Sequence, residues 1–88
     1  MKVLIFYRPN SEQERQMENF KRDFTSRYPF EVEPISLDEA RGADLMQAYG
    51  AIDSPVIIAA ANDGSIQNMW QGSDLPLIDE VAGYLVST

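Results

Sequence analysis

Apolar and polar residues change rhythm several times along this chain, and each change marks an element. Val3-Leu4-Ile5-Phe6, between Lys2 and Tyr7, is a continuous apolar run that suits a central strand buried on both faces. After Pro9 the rhythm becomes helical. Met17, Phe20, Phe24 and Tyr28 recur at spacings of three and four, while Glu14, Arg15, Glu18, Lys21 and Arg22 fill the opposite face. Glu18 stands before Lys21 and Arg22 at the spacings that support an exposed helical face, and Pro29 ends the helix. Phe30 to Ile35 then alternates with period two, and Pro34 within that run assigns it to the edge of a sheet.

A second helix is expected to start near Ser36 or Asp38, or only at Ala43 or Asp44 because Gly42 weakens its first half. It runs through Leu45, Met46 and Tyr49 to Gly50. Pro55 to Ala61 is a second continuous apolar strand. Asn62-Asp63-Gly64 supplies turn chemistry and leads back through Ile66, Asn68 and Trp70 as a hairpin partner. Gly72 closes that strand, Ser73 is placed as an N-cap and Pro76 in the first turn of a last helix. Leu75, Ile78, Val81, Ala82 and Leu85 give this helix one apolar stripe. Trp70 and Tyr7 are expected in the core.

The order is β-α-β-α-β-β-α, with no repeat, linker or low-complexity segment to mark a boundary, so residues 1–88 are read as a single α/β domain. A chain of 88 residues hides only about 60 to 65% of the surface it exposes unfolded, which makes its stability modest. With 44% hydrophobic residues it has the material for one packed core. A formal net charge of −7 repels phosphate backbones and anionic lipid, so neither a nucleic acid nor a membrane is an expected partner. The apolar run after Met1-Lys2 stops at Arg8-Pro9, too short for a secretory or membrane-spanning segment. The chain contains no cysteine, which fits a reducing compartment and a cytoplasmic location.

Tyr49-Gly50, then four residues, then Pro55 opening a strand, then Asp63-Gly64 and Gly72, resembles the stretch of thioredoxins and glutaredoxins around their cis-proline. Phe6-Tyr7-Arg8-Pro9 at the end of the first strand adds to the likeness. The interval from Pro55 to Gly64 is one residue longer than is usual in thioredoxins. The resemblance implies a thioredoxin-like fold, a four-stranded mixed sheet in the order 2-1-3-4. The first and third helices would lie on one face and the second on the other. The handedness rule makes the first crossover right-handed. It also implies that Pro55 is the cis-proline, preceded by Ser54, and that the two family cysteines correspond to Ser11 and Glu14. A thiolate is the nucleophile of disulfide exchange and neither side chain replaces it, so the family's oxidoreductase activity does not carry over.

The remaining motifs have structural explanations. Ser11-Glu12-Gln13-Glu14 is a capping box, in which the serine oxygen accepts from a first-turn N–H and the glutamate reaches back to the cap N–H. Ser36-Leu37-Asp38-Glu39 reads the same way. Ser11 as a nucleophile would need a base, yet the chain has no histidine, and Lys2 and Lys21 lie in a strand and an amphipathic helix. The pairs Asp38/Glu39, Asp79/Glu80 and Glu31/Glu33 read as solvated surface rather than as catalytic or metal-binding carboxylates. Ser11 at the positive end of a helix dipole is also placed as some glutathione transferases place a serine, but those enzymes carry a second, helical domain for which this chain is too short.

The geometry implied by the resemblance outlasts the loss of the thiols. In the family, the backbone beside the cis-proline pairs with an extended peptide next to the start of the first helix. The expected function is therefore redox-inactive binding of a peptide or protein segment. Its groove would be formed by Arg8, Ser11, Glu14, Ser54, Pro55 and Asp74, with no metal and no cofactor. The alternative is a glutathione or thiol-ligand site of glutaredoxin type, in which Arg8 holds a carboxylate and Gly72-Ser73-Asp74 makes a second contact.

Overall fold

The computed structural model describes residues 1–72 and 75–86. The elements are β1 (Lys2–Tyr7), α1 (Glu12–Arg27), β2 (Glu31–Ser36), α2 (Ala40–Ala48), β3 (Val56–Ala60), β4 (Ile66–Gln71) and α3 (Ile78–Val86). One four-stranded mixed sheet has the order β2-β1-β3-β4, as expected. β1 runs parallel to β2 and antiparallel to β3, and β4 is antiparallel to β3.

The two continuous apolar runs became the two central strands because each must bury both of its faces. Val3, Ile5, Ile57 and Ala59 join Val32 beneath Met17, Phe20 and Phe24 of α1 and Val81, Ala82 and Leu85 of α3. Leu4, Phe6, Val56, Ile58 and Ala60 point the other way, with Ile35, against Leu45 and Met46 of α2. Period-two side-chain alternation along two strands thus generates two cores, one on each face. Phe24 is fully buried, with ring centroids 5.6 Å from Phe20, 5.3 Å from Tyr28 and 6.5 Å from Phe30. Tyr28, the residue before Pro29, has left the helix for an extended conformation.

β2 departs from simple alternation. Its two fully buried residues, Val32 and Ile35, serve opposite cores, so the strand is buried in part on both sides although it lies at the sheet's edge. Glu33 is partly buried and paired, not a free surface carboxylate. It bridges Lys2 at 2.9 Å and Arg41 at 2.6 Å, tying β1, β2 and α2 together.

The start of α2 lies next to the earlier of the expected positions, with its N-cap one residue past Asp38, and Gly42 does not delay it to Ala43. Glu39 is its N-cap and makes no side-chain cap bond. Ser36 still belongs to β2, and its hydroxyl accepts from the Asp38 N–H instead of capping the helix. Gly42, expected as a weak point, is the helix's one fully buried residue. Its missing side chain lets the helix lie directly on the end of β2. At the other end the Gly50 N–H donates to the Gln47 carbonyl and the Ala51 N–H to that of Met46, with Gly50 at φ 75°. This Schellman closure turns the chain sharply toward β3.

In the β3–β4 hairpin, Asp63 accepts from both the backbone and the hydroxyl of Ser65, which holds its carboxyl below the usual range. A register shift between Ala59 and Ala60 leaves Gln67 as the extra residue of a bulge in β4. Pro76 lies ahead of α3 rather than inside its first turn, and the proposed Ser73 cap falls outside the described residues. Trp70 and Tyr7 are half-buried rather than core. Trp70 packs edge-on against Tyr84 at 5.5 Å. No helix among the described residues is long and apolar enough to cross a membrane.

Candidate functional site

Two backbone segments meet at the end of the sheet, and hydrogen bonds account for their shape. The first is the turn from β1 into α1. Asn10 adopts φ 58°, and Ser11 follows as the N-cap with its hydroxyl accepting from the Gln13 N–H at 3.2 Å. The same hydroxyl donates to the Arg8 carbonyl at 2.6 Å, so both of its hydrogen-bonding functions are engaged. The capping box is displaced by one residue from the expected form. Glu14 reaches back to the N–H of Asn10 at 3.2 Å, not to that of Ser11.

The second segment is the loop from Gly50 to Pro55. The N–H groups of Ile52 and Asp53 both donate to Oε1 of Gln71, at 2.8 and 3.2 Å. The Ser54 N–H donates to the Asp53 carboxylate at 3.0 Å. The Ser54–Pro55 peptide is cis, Pro55 is buried, and its carbonyl accepts from the Gly72 N–H at 3.0 Å. This pinned backbone leaves the Ile52 side chain 91% exposed.

Gln13 joins the two segments. Its Oε1 accepts from the Arg8 N–H at 3.0 Å, and its Nε2 donates to the Ser54 carbonyl at 3.4 Å. Ser11, Glu14, Ser54 and Pro55 are thereby brought to one end of the molecule. Arg8 belongs there through its backbone only. Its exposed side chain lines a cleft of about 290 Å³ with Leu37, Ala43, Met46, Gln47 and Ala51, against α2, and Ser11, Ser54 and Pro55 do not line it. The Arg8 guanidinium makes no ion pair among the described residues. Asp74 lies outside the described residues.

Burial, reinforced by Glu14, Glu39 and Glu18, pushes the Tyr7 hydroxyl above its ordinary pKa and keeps it a proton donor. Among the described residues no group of three His, Cys, Asp or Glu side chains is placed to hold a metal ion. The arrangement offers hydrogen bonds and a shaped backbone, and Ser11 Oγ is held by backbone partners, with no side chain hydrogen-bonded to it among the described residues.

Three residues that organise this site escaped the sequence reading. Asp53 had a local signal, because aspartate commonly accepts from nearby backbone N–H groups. Gln13 and Gln71 had none: their partners, Ser54 and the Ile52–Asp53 pair, are far away in the chain. No protein-family model, curated protein or solved structure matches the sequence.

Proposed function

We propose that this chain is a redox-inactive, thioredoxin-like domain that binds an extended peptide or protein segment beside the Ser54–Pro55 bond and does not react with it. The observation that carries this reading is the apposition of the cis Ser54–Pro55 loop and the capped start of α1, joined through Gln13. A backbone turned abruptly before a central strand, next to a helix N-terminus, puts main-chain groups where a passing strand competes for them. Ser11, Glu14, Ser54 and Pro55 form the groove, with Arg8 at its margin. The absence of any thiol removes exchange chemistry and leaves recognition.

A second reading has a specific observation of its own. Arg8 has no ion-pair partner among the described residues and stands at the mouth of a partly apolar cleft that also contains the Gln47 amide. That combination suits a small carboxylate such as glutathione. Backbone amide shifts separate the two readings. Shifts of Ser54, Val56 and Ser11 on adding extended peptides, with no response to millimolar glutathione, support the groove. Glutathione-dependent shifts at Arg8 and Gln47 support the cleft, and amides unmoved by either ligand overturn both readings.

A further inference from the structure

We infer that Gln13 is a specificity-determining residue that closes the groove, occupying the main-chain acceptor that an extended partner would use. The inference rests on the peptide-groove reading and concerns how that groove admits its ligand.

Strand addition pairs a partner with main-chain N–H and C=O groups of the receiving segment, and each group already engaged must be released before it can pair. Neither is free at Ser54. Its N–H is taken by the Asp53 carboxylate at 3.0 Å, and its carbonyl by Gln13 Nε2 at 3.4 Å. The two closures are not equal. Asp53 adjoins Ser54 in the chain and accepts with a charged oxygen, a short and local contact. Gln13 reaches across from α1 with a neutral amide, and its bond to Ser54 is at the long end of the hydrogen-bonding range. Gln13 is only half-buried, so its amide has solvent to turn into when displaced. Its other contact, Oε1 with the Arg8 N–H at 3.0 Å, is tighter and belongs to the helix start, and it keeps the amide aimed at Ser54.

A partner therefore reaches the Ser54 carbonyl by replacing the Gln13 amide with a main-chain N–H of its own, while the Ser54 N–H stays with Asp53. The groove favours a segment that can supply that donor in extended form and disfavours small ligands with only acceptor groups to offer. Proline at the pairing position would abolish entry, because it has no N–H.

Gln13→Glu is the cleanest perturbation. It keeps an acceptor for the Arg8 N–H, removes only the donor to Ser54, and places an acid in the first helical turn, where it is tolerated or favourable. Gln13→Ala removes both contacts and serves as the second variant. A random phage-displayed dodecapeptide library is selected on the wild-type protein and on both variants. Enriched peptides are then measured against all three proteins in 0.5 M salt, which screens the added charge, with binding located by the amide shifts of Ser54 and Val56. The expected result is that peptides bind both variants about 3- to 10-fold more tightly than wild type, the worth of one displaced hydrogen bond, and that proline at the pairing position abolishes binding to all three. Equal affinity for all three proteins overturns the role of Gln13 and leaves the groove standing. Weaker binding to both variants overturns it too, by showing that Gln13 contacts the peptide directly. Failure to enrich any peptide on all three proteins overturns the groove itself, and this inference with it.

Discussion

A Cβ added to Gly42 would stand 2.1 Å from the carbonyl oxygen of Ser36, and the obstructing atom is backbone at the end of β2, which has no side-chain freedom to move aside. Replacing this glycine with alanine, normally a gain in helix propensity of up to about 1 kcal/mol, should here destabilise the protein. Separating α2 from β2 costs about 1 to 3 kcal/mol. For a domain of this size the melting temperature of Gly42→Ala is expected to fall by about 10 °C. A variant as stable as wild type in calorimetry would mean that the helix does not sit on the strand as described.

Phe24 is the largest single contributor to the core between α1, α3 and the sheet, fully buried and flanked by three other rings. Phe24→Ala should cost about 3 to 5 kcal/mol. That is most of the stability a small domain possesses. The expected outcome is loss of the cooperative thermal transition in circular dichroism, with Phe24→Leu retaining a weakened one.

The Arg41 guanidinium, and then Lys2, hydrogen-bond Glu33 and hold its carboxyl below its ordinary value of 4.5. A carboxylate with a folded-state pKa below its unfolded one stabilises the fold fully above the unfolded value, and that contribution disappears as pH falls through the folded one. Acidification below about pH 4.5 should therefore destabilise wild type more steeply than Glu33→Gln. Urea midpoints measured from pH 7 down to pH 3 give the comparison, and parallel curves would show the ion pairs to be energetically silent. Because Arg41 and Lys2 are largely exposed, added salt should weaken the effect.

Ser11 and Glu14 occupy the two positions at which the proposed kinship with thioredoxins would put cysteines. Ser11→Cys/Glu14→Cys should form an intramolecular disulfide and catalyse insulin reduction by dithiothreitol, since a thiol at a helix N-terminus is acidified toward the reactive range. The lost serine cap should cost about 1 kcal/mol in the reduced form. A double variant whose thiols stay reduced in air would show that the turn lacks the geometry of that family.

Glu31 to Ser36 shows where reading the chain succeeded and where it stopped. Pro34 located the strand at an edge correctly, because a residue without an N–H has few other places in a sheet. Its odd spacing from Val32 puts Ile35 on the opposite face, but nothing local told that a second core covers that face at the sheet's edge, nor that Glu33 meets Arg41 of α2. Gly42 misled in the same way. Propensity treats it as a weakness in an isolated helix, whereas its role depends on a strand end that packs against it.

Element order, the two central strands, the apolar stripes of α1 and α3 and the absence of a thiol were all written in the sequence, because repeats of two and of about 3.6 residues express themselves within a few positions. The candidate site was legible as residue types at Ser11, Glu14, Ser54 and Pro55. Only the tertiary structure decided that Gln13 reaches Ser54 and that Gln71 pins the loop before it. Those contacts span separations of 41 and of 18 or 19 residues, and a glutamine amide pairs with whichever backbone group the fold carries to it, so its partner leaves no periodic trace in the chain.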